Sequence, residues 1–156
     1  TPRNVHTGGT TIMAAADGTD TTPVATETYI AEIFVPCNMT ITGIAVFNGS
    51  VAGTDKLCAI LYNSAGVPVA QSAAAGITAS GVDSFQRLDF TAPYAAKGPA
   101  TYYVGVQANG ITTRLNTHPI GNFAAQKKTG ETFGTPTNLT IAGTFTANVG
   151  VIASLY

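Results

Sequence analysis

Between Ser84 and Gly110 apolar and polar side chains alternate with a period of two. Tyr102, Val104, Val106 and Ala108 fall on one side of the backbone and Tyr103, Gly105 and Gln107 on the other; upstream, Leu88 and Phe90 alternate with Arg87 and Asp89. A strand with one buried face has this pattern. The stretch predicts two strands of a β-sandwich joined by an exposed loop over 92–100, where Pro93, Gly98 and Pro99 stop ladder pairing and set the turn.

The same period marks a strand from Thr28, with Tyr29, Ala31, Ile33 and Val35 against Ile30, Glu32 and Phe34, ended by Pro36. Met39 to Phe47 predicts a second strand, with a turn starting at Asn48-Gly49-Ser50. Leu57 to Tyr62 is apolar on both faces and predicts a central strand covered on both sides. Asn63 to Gly66 reads as a tight turn into a short strand, Val67 to Gln71, whose Pro68 suits a sheet edge. Ala73 to Ser84 reads as a loop, Ile111 to Thr117 as a strand, His118 to Pro136 as an irregular loop, and Leu139 to Ile141 and Phe145 to Leu155 as closing strands.

Strands about ten residues apart, with turn residues between them and no helical period, predict an all-β fold: an antiparallel β-sandwich of jelly-roll type with about eight strands. The body spans 28–156, and its core is expected to include Ile33, Ile44, Val46, Leu61, Leu88, Phe90, Val104 and Val106. Residues 1–27 read as an extended N-terminal arm. Val5, Ile12, Met13 and Val24 are its large apolar residues, too few to bury against one another, so a partner is expected to order it.

Composition changes this picture mainly at the surface. Charged residues make up 10% of the 156 residues, against about 25% in a typical soluble domain, so the surface is built from hydroxyls, amides and small side chains. A net charge of -1 removes the basis for nucleic-acid binding, which needs clustered cations to displace counterions. The uncharged stretches 57–82 and 132–156 are interrupted by Pro, Gly, Asn, Ser and Thr, so neither predicts a membrane helix. The first residues lack the apolar run of a secretory signal, which predicts synthesis in a cytoplasm without export; a secreted chain after signal removal is the alternative. Cys37 and Cys58 fall far out of register if their strands form a hairpin around 48–55, which predicts two free, buried thiols.

Candidate chemistry is sparse. His6 and His118 have no Cys or carboxylate at ligand spacing, and His118, before Pro119 in a loop, is expected at the surface. Asp17-Gly18-Thr19-Asp20 lacks the further ligands of a calcium loop and predicts a turn. Lys127-Lys128 predicts a solvated loop. No nucleophile elbow, phosphate loop or dinucleotide motif is present, and a non-enzymatic protein without metal or cofactor is expected. The best candidates for a glycan platform are Tyr94, beside Pro93, and Tyr103, on the face opposite the core-facing residues.

The runs ITGIAVFNG at 41–49, KLCAILYNSAGVPVAQS at 56–72 and FQRLDFTAPYAAKGPATYYVGVQANG at 85–110 resemble the small β-sandwich domains of bacteriophage virion proteins, including capsid decoration proteins and fibre domains. The shared elements are a strand leading to an LY-x-x-x-G turn, a loop closing with a Gly-Pro or Gly-Thr pair, and a Tyr-Tyr-x-Gly-Val strand. The resemblance implies a virion surface role without catalytic residues, attachment to other virion proteins such as the major capsid protein, and an arm that reaches neighbouring subunits. In that reading Arg3, Val5, His6, Ile12 and Met13 contact the partner. A charge-poor surface with few guarded strand edges also predicts a homo-oligomer, with a trimer expected because closed rings are common in particle coats. The alternative is a carbohydrate-binding module such as an adhesin or receptor-binding domain.

Overall fold

The computed structural model describes residues 5–7 and 18–156. The described residues form twelve strands and no helix: β1 (Val5–His6), β2 (Thr19–Thr21), β3 (Glu27–Val35), β4 (Met39–Phe47), β5 (Lys56–Tyr62), β6 (Pro68–Gln71), β7 (Ile77–Thr78), β8 (Phe85–Ala96), β9 (Ala100–Ala108), β10 (Leu115–Thr117), β11 (Ala125–Thr129) and β12 (Ala153–Leu155). A four-stranded sheet runs β1-β12-β4-β8. A six-stranded sheet runs β11-β3-β9-β5-β6, with β7 also on β5, and β10 pairs with β2. Every pairing between these strands is antiparallel.

The two sheets share one apolar core. Ile44, Val46, Leu88, Phe90 and Leu155 come from the four-stranded sheet, and Ala31, Ile33, Leu61, Val104 and Val106 from the six-stranded one. All eight residues expected in the core are in it, because alternation along each strand leaves one face for them to occupy. β5 carries a second cluster on its other face, where Cys58, Ile60 and Tyr62 pack with Ile30, Tyr103 and Leu139. Its apolar character on both faces therefore reflects burial on both sides, each Leu or Ile contributing about 1.5–3 kcal/mol. β6 lies at the sheet edge, where Pro68 omits a donor without breaking a central ladder.

Several expectations are corrected. β4 and β5 do not form a hairpin; they lie in different sheets, because β5 needs the doubly covered centre while β4 has only one buried face. β8 runs through Pro93 to Ala96 rather than ending before it. The β4–β8 register jumps from Ile41–Tyr94 to Gly43–Asp89, so Pro93 sits in a bulge where its missing N–H breaks no ladder bond. Residues 125–129, expected as loop, form edge strand β11 against β3. Backbone pairing holds a segment whose polar side chains gave no alternation. Residues 139–141 form no strand, and only 153–155 of the 145–155 run do. Both cysteines are free, but Cys37 is exposed and only Cys58 is buried.

Candidate functional site

The N-terminal segment is joined to the body at two described stretches. Val5 and His6 pair through their backbones with Leu155 and Ser154. Thr7 is fully buried; its N–H donates to Ala153 O at 2.8 Å and its hydroxyl to Val151 O at 2.9 Å. Thr19–Thr21 pair with β10, and the Asp20 carboxylate accepts from the Ser50 N–H at 2.9 Å and the Ser50 hydroxyl at 2.6 Å. Both described stretches make strand-edge and hydroxyl bonds within the chain. Apolar counting missed this because the bonds are polar. Arg3, Ile12 and Met13 lie outside the described residues, as do the side chains of Val5 and His6.

His118, expected at the surface, is buried. Its Nε2 lies 3.0 Å from Thr7 Oγ1 and its ring meets Phe123 edge-on, so it closes the slot that receives the N-terminal strand.

The carboxylates fasten loops. Asp55 accepts from the Thr112 and Thr113 amides at 2.7 and 2.8 Å, and Glu32 from the Ala124 amide at 2.8 Å. Glu27 binds the Tyr29 hydroxyl and Lys127, whose position in β11 corrects the solvated-loop expectation. The Glu131 side chain, 2% exposed, takes the Lys128 ammonium at 2.7 Å and the Thr137 hydroxyl at 2.6 Å. Burial alone would raise the Glu131 carboxyl, but the Lys128 and Thr137 hydrogen bonds and the Lys128 charge outweigh it and hold it below the ordinary range.

Glu131 thereby closes a strap, residues 131–142, over the outer face of the six-stranded sheet. Gly134 N donates to the buried Gln107 Oε1, Leu139 N to Gly66 O, and Ala142 N to Gln126 Oε1. Tyr103, expected as an outward platform, is buried beneath this cover with Tyr62 and Leu139. Tyr94 is half-buried against the main core, edge-on to Tyr102 at 6.3 Å. The structure does not bring the two tyrosines together as a platform. An open groove lined by Asn38, Met39, Thr40 and Ala95 to Lys97 lies next to Tyr94 along the chain.

Among the described residues, no corresponding strap crosses the outer face of the four-stranded sheet. That face presents Phe85, 55% exposed, against the Phe47 ring at 4.9 Å, with Arg87 and Asp89 beyond. Tyr156 lies across these two. Its hydroxyl donates to Asp89 at 2.5 Å, and the Arg87 guanidinium stands 3.8 Å above its ring. Gly43 makes the docking feasible, since a side chain there would strike the Tyr156 ring. Desolvation, with the Asp89 hydrogen bond and charge, pushes the Tyr156 hydroxyl up to about 12. Sequence reading passed over this constellation: Tyr156 meets residues 67 or more positions away, and no local period records that.

No family model, curated protein or solved structure matches the chain. The functional reading therefore rests on the molecule itself. β1 is one rim strand of the four-stranded sheet and β8, which carries the exposed Phe85, is the other.

Proposed function

We propose that the protein is a non-enzymatic structural component of a bacteriophage particle, a capsid decoration or other surface protein that works by assembling with virion proteins. One observation carries the reading. Setting aside β2, β7, β10 and the edge strand β11, which extends the six-stranded sheet beyond β3, eight strands remain, and in chain order they stand first-eighth-third-sixth in one sheet and second-seventh-fourth-fifth in the other. This order matches that of two nested Greek keys and supports a jelly-roll reading, the arrangement used by viral capsid domains, with β1 as its first strand.

Two further features support assembly rather than catalysis. Six carboxylates, Asp20, Glu27, Glu32, Asp55, Asp89 and Glu131, accept hydrogen bonds that fix loops, termini or strand edges. A charge-poor body with exposed Phe34, Phe85, Ile111 and Ile120 suits contact with other protein surfaces. Since jelly rolls also serve as lectin domains, the open groove by Tyr94 favours carbohydrate binding as the second reading.

Purification from the native source separates the two. The chain is expected to co-sediment with particles and to survive stringent washing on them. A soluble chain absent from particles that gives one reproducible sugar ligand on a glycan array would overturn the virion reading.

A further inference from the structure

We propose that the slot on β12 that holds β1 is an exchange site: in an assembly it receives the β1 strand of a second copy of this chain. The inference rests on the assembly reading above and names the partner and the contact.

The groups that make the slot all belong to the body. β12 pairs with β4 along one edge and turns its other edge to β1, in the register Val5–Leu155 and His6–Ser154. Beside that edge the Val151 carbonyl, the Ala153 N–H, the Ala153 carbonyl and the His118 ring converge on Thr7, at 2.9, 3.1, 2.8 and 3.0 Å. His118 is itself set in place: its amide donates to Gly150 O at 2.9 Å, and the Phe123 ring meets it edge-on. The slot therefore makes the same bonds whichever copy supplies the strand.

Those groups also select the occupant. A strand added at a sheet edge takes its affinity from main-chain bonds and its selectivity from the pocket that receives a side chain. Here the pocket is buried and polar, and it suits a hydroxyl that donates once and accepts twice. An apolar side chain in its place would leave the Ala153 N–H and the imidazole N–H buried and unpaired. The segment Val5-His6-Thr7 meets this requirement in register with the main-chain pairing, and every copy carries it.

The connection behind β1 is longer than closure within one copy needs. Thr7 lies against His118, and Gly18 lies so near Thr117 that a Cβ on it would meet the Thr117 carbonyl oxygen at 2.8 Å. The two ends thus stand beside consecutive residues, yet ten residues, 8–17, join them. Ten residues span up to about 33–36 Å, beyond the diameter of a small domain at about 30 Å. That length lets β1 reach the slot of a copy seated alongside.

Exchange sacrifices no contact. β1 is two residues long, and a short terminal strand opens without unfolding the body. The same bonds re-form in the neighbouring slot, which makes exchange of identical elements a low-cost route to assembly. The tether holds β1 at its own slot at an effective concentration in the millimolar range, so exchange prevails where copies are crowded to that level, as copies side by side on a particle are. Reciprocal exchange closes a pair, and exchange passed from copy to copy closes a ring, which accommodates the trimer expected from the sequence.

Cysteine pairing in full-length chains tests the proposal. All variants carry Cys37→Ser, which removes the exposed thiol. One chain carries His6→Cys and a second Ser154→Cys, positions that stand opposite each other at the roughly 4.5–5.5 Å of an antiparallel ladder, within disulfide reach. Mixed at about millimolar concentration and oxidised, the two are expected to form a disulfide-linked heterodimer, whereas a Ser64→Cys chain, altered in the exposed turn before β6, should not link to the His6→Cys chain. A chain carrying both His6→Cys and Ser154→Cys should link between copies at that concentration and within single copies when diluted to the micromolar range, because dilution favours the tethered strand. Circular dichroism verifies folding of each variant, and Val5→Cys with Leu155→Cys replaces the pair if either does not fold. Links confined to single copies at every concentration, or heterodimers formed equally well with the Ser64→Cys chain, overturn the proposal. Chains with internal links only that still co-sediment with particles would sink exchange alone. Exchange between chains that never associate with particles supports the slot and counts against the virion role.

Discussion

Thr7 Oγ1 and His118 Nε2, 111 residues apart in sequence, meet at 3.0 Å in a buried hydrogen bond. The Thr7 hydroxyl gives its single proton to Val151 O at 2.9 Å and accepts from Ala153 N at 3.1 Å, so the ring nitrogen is the donor. A polar pin thus helps to fasten the N-terminal strand.

Replacing Thr7 by Val keeps the volume and removes the pin. Partners left unsatisfied cost about 1–3 kcal/mol, so the urea midpoint should fall and amide exchange at Ala153 to Leu155 should accelerate. Unchanged exchange there would show that the pin does not hold β1 on β12.

Glu131 and Glu27 both carry carboxyls lowered below their ordinary value, in each case by Lys and hydroxyl hydrogen bonds that outweigh burial. A lowered folded-state value means that these groups add stability above the unfolded-state pKa and lose it as pH falls through the folded one. Stability should therefore decline on acidification below about pH 4.5, the ordinary carboxyl range. Glu131→Gln should reduce stability at neutral pH and flatten that decline. An acid limb identical in the variant and the parent would count against Glu131 as the strap's latch.

The two thiols should differ in reactivity. Cys37 is exposed and should label rapidly with a maleimide. Cys58 sits under the strap, and burial pushes its thiol up despite the Ser72 hydrogen bond, so it should label only when the strap opens. Leu139→Ala, which thins the roof over Cys58, should speed its labelling several-fold without affecting Cys37.

Leu61 is fully buried between the sheets. Leu61→Ala should cost about 2–5 kcal/mol through lost burial and a residual cavity, read as a shift in the urea midpoint at constant slope. A loss below about 1 kcal/mol would mean that the site collapses around the smaller side chain.

Much of the body was legible along the chain. Strands β3 and β9 and the core residues along them follow from alternation, because a strand's two faces see different surroundings and the side chains record which is which, while β5 follows from an apolar run on both faces and β6 from the turn before it. Pro68 marked an edge for a reason local to one residue. What the sequence did not determine is which strands share a sheet. β4 and β5 look like hairpin neighbours, yet the structure parts them, since pairing depends on which surfaces remain to be covered after the whole chain has collapsed. β11 was invisible because its order comes from backbone bonds to β3. The burial of His118 and Tyr103 depended on Thr7 and Leu139, distant segments that roof positions whose own neighbours gave no sign of cover. The Arg87–Tyr156–Asp89 group likewise exists only through tertiary contact: β12 delivers Tyr156 over Gly43, and the period of two within β8 shows which way Arg87 and Asp89 point but not what waits there.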